Sequence, residues 1–292
     1  MNNKLGNRIK FLIQKYFPSV IAKIRFYKNF KKHLNLRNPK WFSEKIYWLK
    51  LYYYPNCSIA IKGGDKYGMR EYATEKGFSD YLVPLYGIYN SVDEVDISEF
   101  PSKFVLKKTN SAGDNLIVIS KDDLDFDKAK NLMYKWMTTD IGIISGARHY
   151  SKMESRIICE KYLEDIIQEI QIFCFHGEPK IINLGTFRFE DSQNVGAFSK
   201  KKRVTKTYFN IDEFDFTAVS LEFKNLVKVA EVLSSDVPLV RVDFFETRDG
   251  FYLGELTYTP GGGLRQKNFS VEKQMQWGNW LQIPDKKKKM SC

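Results

Sequence analysis

No stretch of this chain restricts its fold as tightly as residues 241–263, Arg-Val-Asp-Phe-Phe-Glu-Thr-Arg-Asp-Gly-Phe-Tyr-Leu-Gly-Glu-Leu-Thr-Tyr-Thr-Pro-Gly-Gly-Gly. Two β-rich runs flank Arg248-Asp249-Gly250, which reads as a three-residue hairpin loop with glycine where a left-handed turn residue is wanted. Thr247 then faces Phe251, and counting outward sets Asp243 against Glu255 and Arg241 against Thr257 on one face. Val240, Val242, Phe244, Tyr252 and Leu256 take the other, so one face is chemical and one is core. Like charges directly opposite on a sheet repel, with side-chain roots roughly 5 Å apart, so the two acids demand a cation between them. Two candidates meet that demand: Arg241 as an ordinary charge ladder, or a magnesium ion, with manganese as its substitute, bridging to phosphate.

At 292 residues the chain can bury a sizeable core, as one two-lobed unit or two small domains. Hydrophobic content of 43% with 28% charged residues is that of a soluble globular protein and argues against disorder. Four cysteines (Cys57, Cys159, Cys174, Cys292) and three histidines (His33, His149, His176) show neither CxxC nor HxxxH spacing. No disulfide framework or zinc site is therefore expected, and a reducing cytoplasm is the default. Phe11-Leu12-Ile13 is broken by Gln14 and Lys15, too short for a signal-peptide core, and no run reaches membrane-spanning length.

The net charge of +11 looks like a nucleic-acid footprint until it is located. Residues 1–50 hold thirteen Lys or Arg against Glu44 alone, a net of +12, so the other 242 residues carry −1. Basic charge is confined to an N-terminal arm and a Lys286–Lys289 tail, which argues against a broad basic groove and a nucleic-acid partner. In the arm, Leu5, Ile9, Leu12, Ile13, Phe17, Val20, Ile21 and Ile24 recur at helical spacing among Lys4, Arg8, Lys10, Lys15 and Lys23. Such a segment either lies on the inner face of a membrane or packs on its own domain with a solvated basic face.

Residues 36–56 carry a helical pattern through Trp41, Phe42, Ile46, Trp48 and Leu49 that stops at Pro55-Asn56. Asp65 caps a helix over Tyr67–Lys76 ended by Gly77, leaving Lys66 at a helix start, where a cation opposes the dipole unless it meets an anion. A strand ending in Lys107-Lys108, the small-residue loop 109–115 with Ser111 and Gly113, and a strand over Leu116–Ile119 form a phosphate-covering hairpin. There is no GxxxxGK[ST], so a P-loop is excluded. A helix over 124–138 starts at Asp125 with Ala129, Leu132, Met133 and Trp136 inward; Asp125-Phe-Asp127 matches the DxD of metal-dependent sugar transferases, but helix capping accounts for it. A strand from Arg156 runs into the connector Glu160–Asp165, whose backbone can serve a purine edge, with Gln168 and Glu169 placed for ribose hydroxyls. A strand over Lys180–Arg188, a basic loop Lys200–Arg203 and a helix over Val219–Ser234 precede the acidic hairpin.

Taken in order, Gly64-Asp65-Lys66, the strand ending in Lys107, Glu160-Lys-Tyr-Leu163, and Asp243 with Glu255 before Pro260-Gly261 resemble the ATP-grasp superfamily. Glu160-Lys-Tyr-Leu-Glu is similar to biotin carboxylase, and Arg-Val-Asp-Phe followed by Gly-Glu-Leu-Thr and Pro-Gly is similar to D-alanine-D-alanine ligase. Asn38–Leu51, Asp65-Lys-Tyr and Phe173-Cys-Phe-His-Gly177 look like the TupA-like branch found in bacterial surface-polysaccharide gene sets.

That resemblance implies an α+β ATP-grasp fold, two α/β subdomains clamping a nucleotide. It divides the chain into a basic helical region 1–58, an N-subdomain 59–158, a C-subdomain 159–284 with the metal site, and a basic tail 285–292. It implies that Lys66 and Lys107, with the Ser111 and Gly113 loop, hold the phosphates of ATP, that Glu160 and the backbone at Leu163 read adenine, with Lys161 between them in the nucleotide site, and that Gln168 or Glu169 takes the ribose. Asp243, Glu255 and Thr257 would bind magnesium, while Arg241 and the Gly261 and Gly262 amides would steady an oxyanion. Arg188, Lys201 and Arg203 are candidates for an acidic substrate. Two departures stand out: the 110–115 loop is poor in glycine, and Thr257 stands where asparagine commonly serves as a ligand. The implied activity is an ATP- and magnesium-dependent carboxylate-amine ligase, joining an amino acid to a carboxylate sugar in capsule or O-antigen synthesis, cytoplasmic or peripheral on the inner membrane face. A glycosyltransferase-type protein of the same pathways, or an inactive nucleotide-binding relative, is the alternative.

Overall fold

The computed structural model describes residues 11–191, 197–284 and 292, with 187–191 and 197–203 as backbone alone. Residues 11–16 are helical, and Pro18 opens α1 (Pro18–Phe30). The helix expected across 36–56 begins only at Phe42, because Pro39 biases Asn38 away from helical backbone; it runs as α2 (Phe42–Trp48), a five-residue π-helical turn, Leu49–Tyr53, and a 3-10 turn, Tyr54–Asn56, ending at the expected Pro55-Asn56. The Glu44 carboxylate closes the start of α2, accepting from the Lys40 and Trp41 amides at 2.9 and 3.1 Å. α3 (Ser58–Gly64) leads into α4 (Lys66–Glu75), whose first amides, Tyr67 and Gly68, donate to Asp65 at 3.0 and 2.9 Å, the cap expected there.

Next come β1 (Leu85–Tyr89), β2 (Phe104–Lys108), β3 (Asn115–Val118), α5 (Phe126–Met137), α6 (Ile141–Ser145) and β4 (Ile157–Lys161). Asp125 caps α5 through the Lys128 amide, as its position at a helix start requires. β5 (Gln168–Phe175), β6 (Glu178–Gly185), β7 (Phe187–Asp191), β8 (Ala197–Arg203) and β9 (Thr207–Asn210) follow, then α7 (Leu221–Ser234), β10 (Leu239–Thr247), β11 (Gly250–Thr257) and α8 (Val271–Trp280).

The strands make two antiparallel sheets, ordered β1-β4-β2-β3-β8-β7 and β11-β10-β5-β6-β9. Each has its own core. Phe104, Leu106, Leu116 and Val118 of the first pack on Ala129, Met133 and Trp136 of α5. Ile170, Ile172, Val240, Val242 and Phe244 of the second share a larger core with α1, α2, α7 and α8. The N-terminal helices therefore belong to the second lobe's core. The boundary at 159 cuts through β4, and the strand expected over Lys180–Arg188 breaks at Thr186. Lys200–Arg203 is not a loop: it lies in β8, whose Phe198 pairs with Ile117 of β3, so a hairpin from the second half of the chain completes the first sheet.

Two further expectations are corrected. Cys57 and Cys292 form a disulfide across a sequence separation of 235. Spacing rules detect cysteines paired locally, whereas the fold alone brings these together, with the Ser58 hydroxyl donating to the Cys292 carbonyl at 2.6 Å. In the acidic hairpin Thr247 faces Gly250, not Phe251, so the turn has two residues, Arg248 and Asp249. A β-bulge between Asp243 and Phe244 then restores the expected pairing of Asp243 with Glu255 and of Arg241 with Thr257. The bulge also changes the face of Tyr252, which pairs with Phe245 on the chemical side, while Leu253 opposite Phe244 goes into the core.

Candidate active site

Strand alternation puts Arg241, Asp243 and Phe245 on one face of β10. Asp243 is 1% exposed, and the Arg241 guanidinium grips it with two bonds, Nε to Oδ1 at 2.6 Å and Nη2 to Oδ2 at 2.5 Å. The same Nη2 donates to Glu255 Oε1 at 2.8 Å and to Thr257 Oγ1 at 3.1 Å. Arg241 therefore stands in the position that two facing acids require a cation to fill. Burial raises the Asp243 carboxyl to about 6, opposed by Arg241 and reinforced by Glu255.

Two residues that sequence reasoning missed complete this row. Gln171 pairs with Asp243 across β5, and Asn183 pairs with Gln171 across β6. Asn183 donates its amide to Gln171 Oε1 at 2.6 Å, which turns the Gln171 amide nitrogen toward Asp243 Oδ2 at 2.9 Å. The signal was present as Glu169-Ile-Gln171-Ile, polar residues alternating inside an apolar strand.

Next to Asp243 on the same face, Phe245 forms one wall of a cavity of about 80 Å³ between the sheets. Val83, Val105 and Ile117 line it from the first lobe, and Lys161, Tyr162, Leu163 and Ile166 close its side. Lys107 and Asn115 supply polar atoms at its edge. Of the expected nucleotide ligands, Lys107, Lys161 and Leu163 thus meet here. Glu169 pairs with Phe245 and shares its face; Gln168 points to the other and donates to Glu246 at 2.6 Å. Glu160 is 4% exposed and engaged in ion pairs, with Lys107 at 2.5 Å and with Arg70 at 3.0 Å. Arg70 was missed, although it lies one helical turn after Lys66 on α4.

Lys66 sits at the start of α4, as expected, and its ammonium donates to the Lys108 and Ser111 carbonyls at 3.0 and 2.5 Å. It therefore holds the 109–113 loop by its backbone. Burial lowers its pKa most; Glu255 and Lys107 are among the charges that act on it. The Ser111 hydroxyl is buried without a hydrogen-bond partner, and Gly113 takes φ +101°, a left-handed backbone that leaves the loop tip open.

The Pro260–Gly263 turn has φ of +58°, +64° and +77° at its three glycines. The Gly262 amide donates to the Thr259 carbonyl at 2.8 Å, so the turn itself uses the group expected to face an oxyanion. The Gly262 carbonyl accepts from buried Lys50 at 2.9 Å, a residue sequence reasoning assigned no role. Arg188, Lys201 and Arg203 lie in β7 and β8, with Arg188 paired to Lys202; their side chains lie outside the described ones.

Asp243, Glu255 and Thr257 offer oxygen atoms alone, the donor set of a hard divalent cation. Among the described residues no group of three or more His, Cys, Asp or Glu side chains converges. The fit is to an ion that takes two carboxylates and a hydroxyl from the protein and the rest of its sphere from phosphate and water.

The fold is similar to that of the D-alanine–D-alanine ligase from Bacillus anthracis, with 15% identity, a TM-score of 0.48, and 76% of this chain and 68% of that one covered. The L-amino acid ligase from Bacillus licheniformis is similar at 12% identity and TM-score 0.49, covering 78% of this chain and 52% of that one. The VanG D-Ala:D-Ser ligase from Enterococcus faecalis follows at 13% and 0.46, covering 77% and 63%. The chain spans between half and about two thirds of the length of these structures. No curated protein matches it in sequence. The family described as TupA-like ATPgrasp matches residues 44–280, most of the chain; the protein belongs to that family and has the ATP-grasp fold.

Proposed function

We propose that the protein is an ATP- and magnesium-dependent carboxylate-amine ligase that joins an amino acid to a uronic acid or other acidic sugar during bacterial surface-polysaccharide synthesis. One observation carries this reading: β10 presents Phe245, Asp243 and Arg241 in succession on one face. That order supports an adenine end, a phosphate end and a reacting end along one line.

In this reading adenine enters the apolar cavity between Val105, Ile117 and Phe245, with the 161–163 backbone at its edge. Lys107 releases Glu160 to meet phosphate, and Lys66 keeps the covering loop in place. Asp243, Glu255 and Thr257 would hold magnesium, which shields the charge on the transferring phosphate oxygens. Arg241 gives up the acid pair and turns to the substrate. A substrate carboxylate oxygen attacks the γ-phosphorus and the bond to ADP breaks; an amine nitrogen then attacks the acyl carbon, loses a proton, and expels phosphate. Closing the two sheets on the nucleotide excludes water from the acyl-phosphate. The demand for ATP assigns the reaction to the cytoplasm, and among the described residues no helix is long and apolar enough to cross a membrane.

The test is magnesium-dependent ADP release by the purified protein, with amino acids and acidic sugars supplied singly and in pairs. ADP should appear only with an acid and amine pair and fall by about a thousandfold or more in Asp243→Ala. Tight ATP binding without ADP from any pair would favour the alternative in which Arg241 neutralises the acids permanently. Turnover of a nucleotide sugar without ATP would replace the reading with sugar transfer.

A further inference from the structure

α1 is apolar on two sides. At 100° per residue, Ala22 and Phe26 mark the buried side, and Val20, Ile24 and Tyr27 fall within about 30° of a single line on the far side, with Phe17 at the N-cap just before them. Phe17, Val20, Ile24 and Tyr27 are 60%, 46%, 46% and 49% exposed, and Tyr16 beside them is 64% exposed. A soluble protein leaves apolar side chains exposed singly, not in a line two turns long with two exposed aromatics leading into it. Lys23 and Lys28, both exposed, flank the line on either side, and exposed Lys31 follows at its end. No Asp or Glu occurs from residue 11 to 43. The first acid after that, Glu44, is buried and paired with Lys32, so it offers the surface no negative charge.

We propose that this face lies flat on an anionic bilayer, with Phe17, Val20, Ile24 and Tyr27 among the acyl chains and Lys23, Lys28 and Lys31 on lipid phosphates. Apolar line and lysine borders are the two components of an interfacial helix, and the long lysine stems let their charges reach the headgroups while the line sinks below them. A second copy of the chain fits the same face poorly, because two-fold pairing would bring lysine borders together with no acid from this segment to offset them. The helix is also fastened to the catalytic body. Arg25 donates to the Ile144 carbonyl at 2.9 Å, the Gln14 amide in the turn before the helix donates to the Ile143 and Ile144 carbonyls, and Ala22 and Phe26 join the larger core, Phe26 meeting Tyr47 of α2 edge to face at 5.6 Å. Docking would therefore set the orientation of the whole second lobe. The inference does not depend on the ligase reading.

The test is cosedimentation of the full chain with vesicles of phosphatidylcholine alone or mixed with phosphatidylglycerol, beside the variants Val20→Glu/Ile24→Glu and Lys23→Glu/Lys28→Glu. The expected result is binding to the anionic vesicles only, weakened by salt, and reduced roughly tenfold or more in each variant. Thermal melting and ATP binding should be unchanged in both. No binding to anionic vesicles would overturn the proposal. So would equal binding by Val20→Glu/Ile24→Glu, which would assign lipid affinity to the other basic segments. A dimer seen by light scattering and lost in that variant would give the face to a second copy instead.

Discussion

His149 is enclosed by Tyr54, Tyr150 and Tyr258, and neither ring nitrogen has a hydrogen-bond partner. Burial, with nearby Lys50 adding to it, pushes its pKa down to about 3. The unfolded chain takes up that proton near 6.5, so between those values protons bind the unfolded state and not the folded one. Stability is complete above about 6.5 and falls with falling pH at roughly 1.4 kcal/mol per unit from this residue. His149→Phe should flatten the pH dependence of the urea unfolding free energy between about pH 6.5 and 5; an unchanged slope would assign the acid sensitivity elsewhere. Lys50 is shifted in the same direction, to about 7, chiefly by burial. Its folded-state proton is thus lost near neutrality, while the unfolded chain keeps it to about 10.4. Lys50→Met removes the ammonium from the Gly262 carbonyl; in the proposed ligase it should lower kcat more than ATP affinity, because the turn it fixes follows the Glu255 and Thr257 end of β11 and does not line the cavity proposed for adenine.

At the level of the element, the acidic hairpin owes its register to two departures from regularity that cancel. The tighter turn moves the pairing by one residue, and the bulge at Gly254 moves it back before the acids are reached. A Cβ on Gly254 would stand 2.8 Å from the Phe245 ring, and Phe245 is a wall of the cavity. In the proposed ligase, Gly254→Ala should therefore push that ring into the cavity proposed for adenine and weaken ATP binding by about tenfold, a penalty of the size that overpacking produces. Isothermal titration checks this; unchanged affinity would remove Phe245 from the nucleotide site. The same hairpin shows why the site was half legible. Arg241, Asp243, Glu255 and Thr257 are linked by a period of two within one local turn, which sequence displays directly. Gln171 and Asn183 join the row only through pairings with strands some 60 to 70 residues earlier, and a bulge leaves no mark beyond one glycine. Lys200–Arg203 was misread for a related reason: a run of four basic residues has the composition of a loop, and only its pairing with β7 makes it a strand.

At the level of the molecule, the two sheets and their separate cores follow from the order of motifs. What joins the chain's far ends does not, because it depends on three-dimensional proximity alone. The Cys57–Cys292 bond closes a loop of 235 residues, for which chain entropy gives a stabilisation on the order of 5 kcal/mol. Reducing agent, or Cys292→Ser, should lower the melting temperature by several degrees, and the two together should do no more than either. An additive effect would mean that the bond is not the target.

The chain visits the sheets in four passes, β1 to β4, then β5 and β6, then β7 and β8, then β9 to β11. The third pass leaves and returns through one neck, where the Val204 amide donates to the Thr186 carbonyl at 2.8 Å. Neither lobe is a contiguous segment, so no single cut yields a half that owns all its strands. The two sheets therefore cannot be parted by cutting the chain once. Parting them takes three cuts, one at each crossing between the sheets, so each lobe depends on the other for the continuity of its own chain.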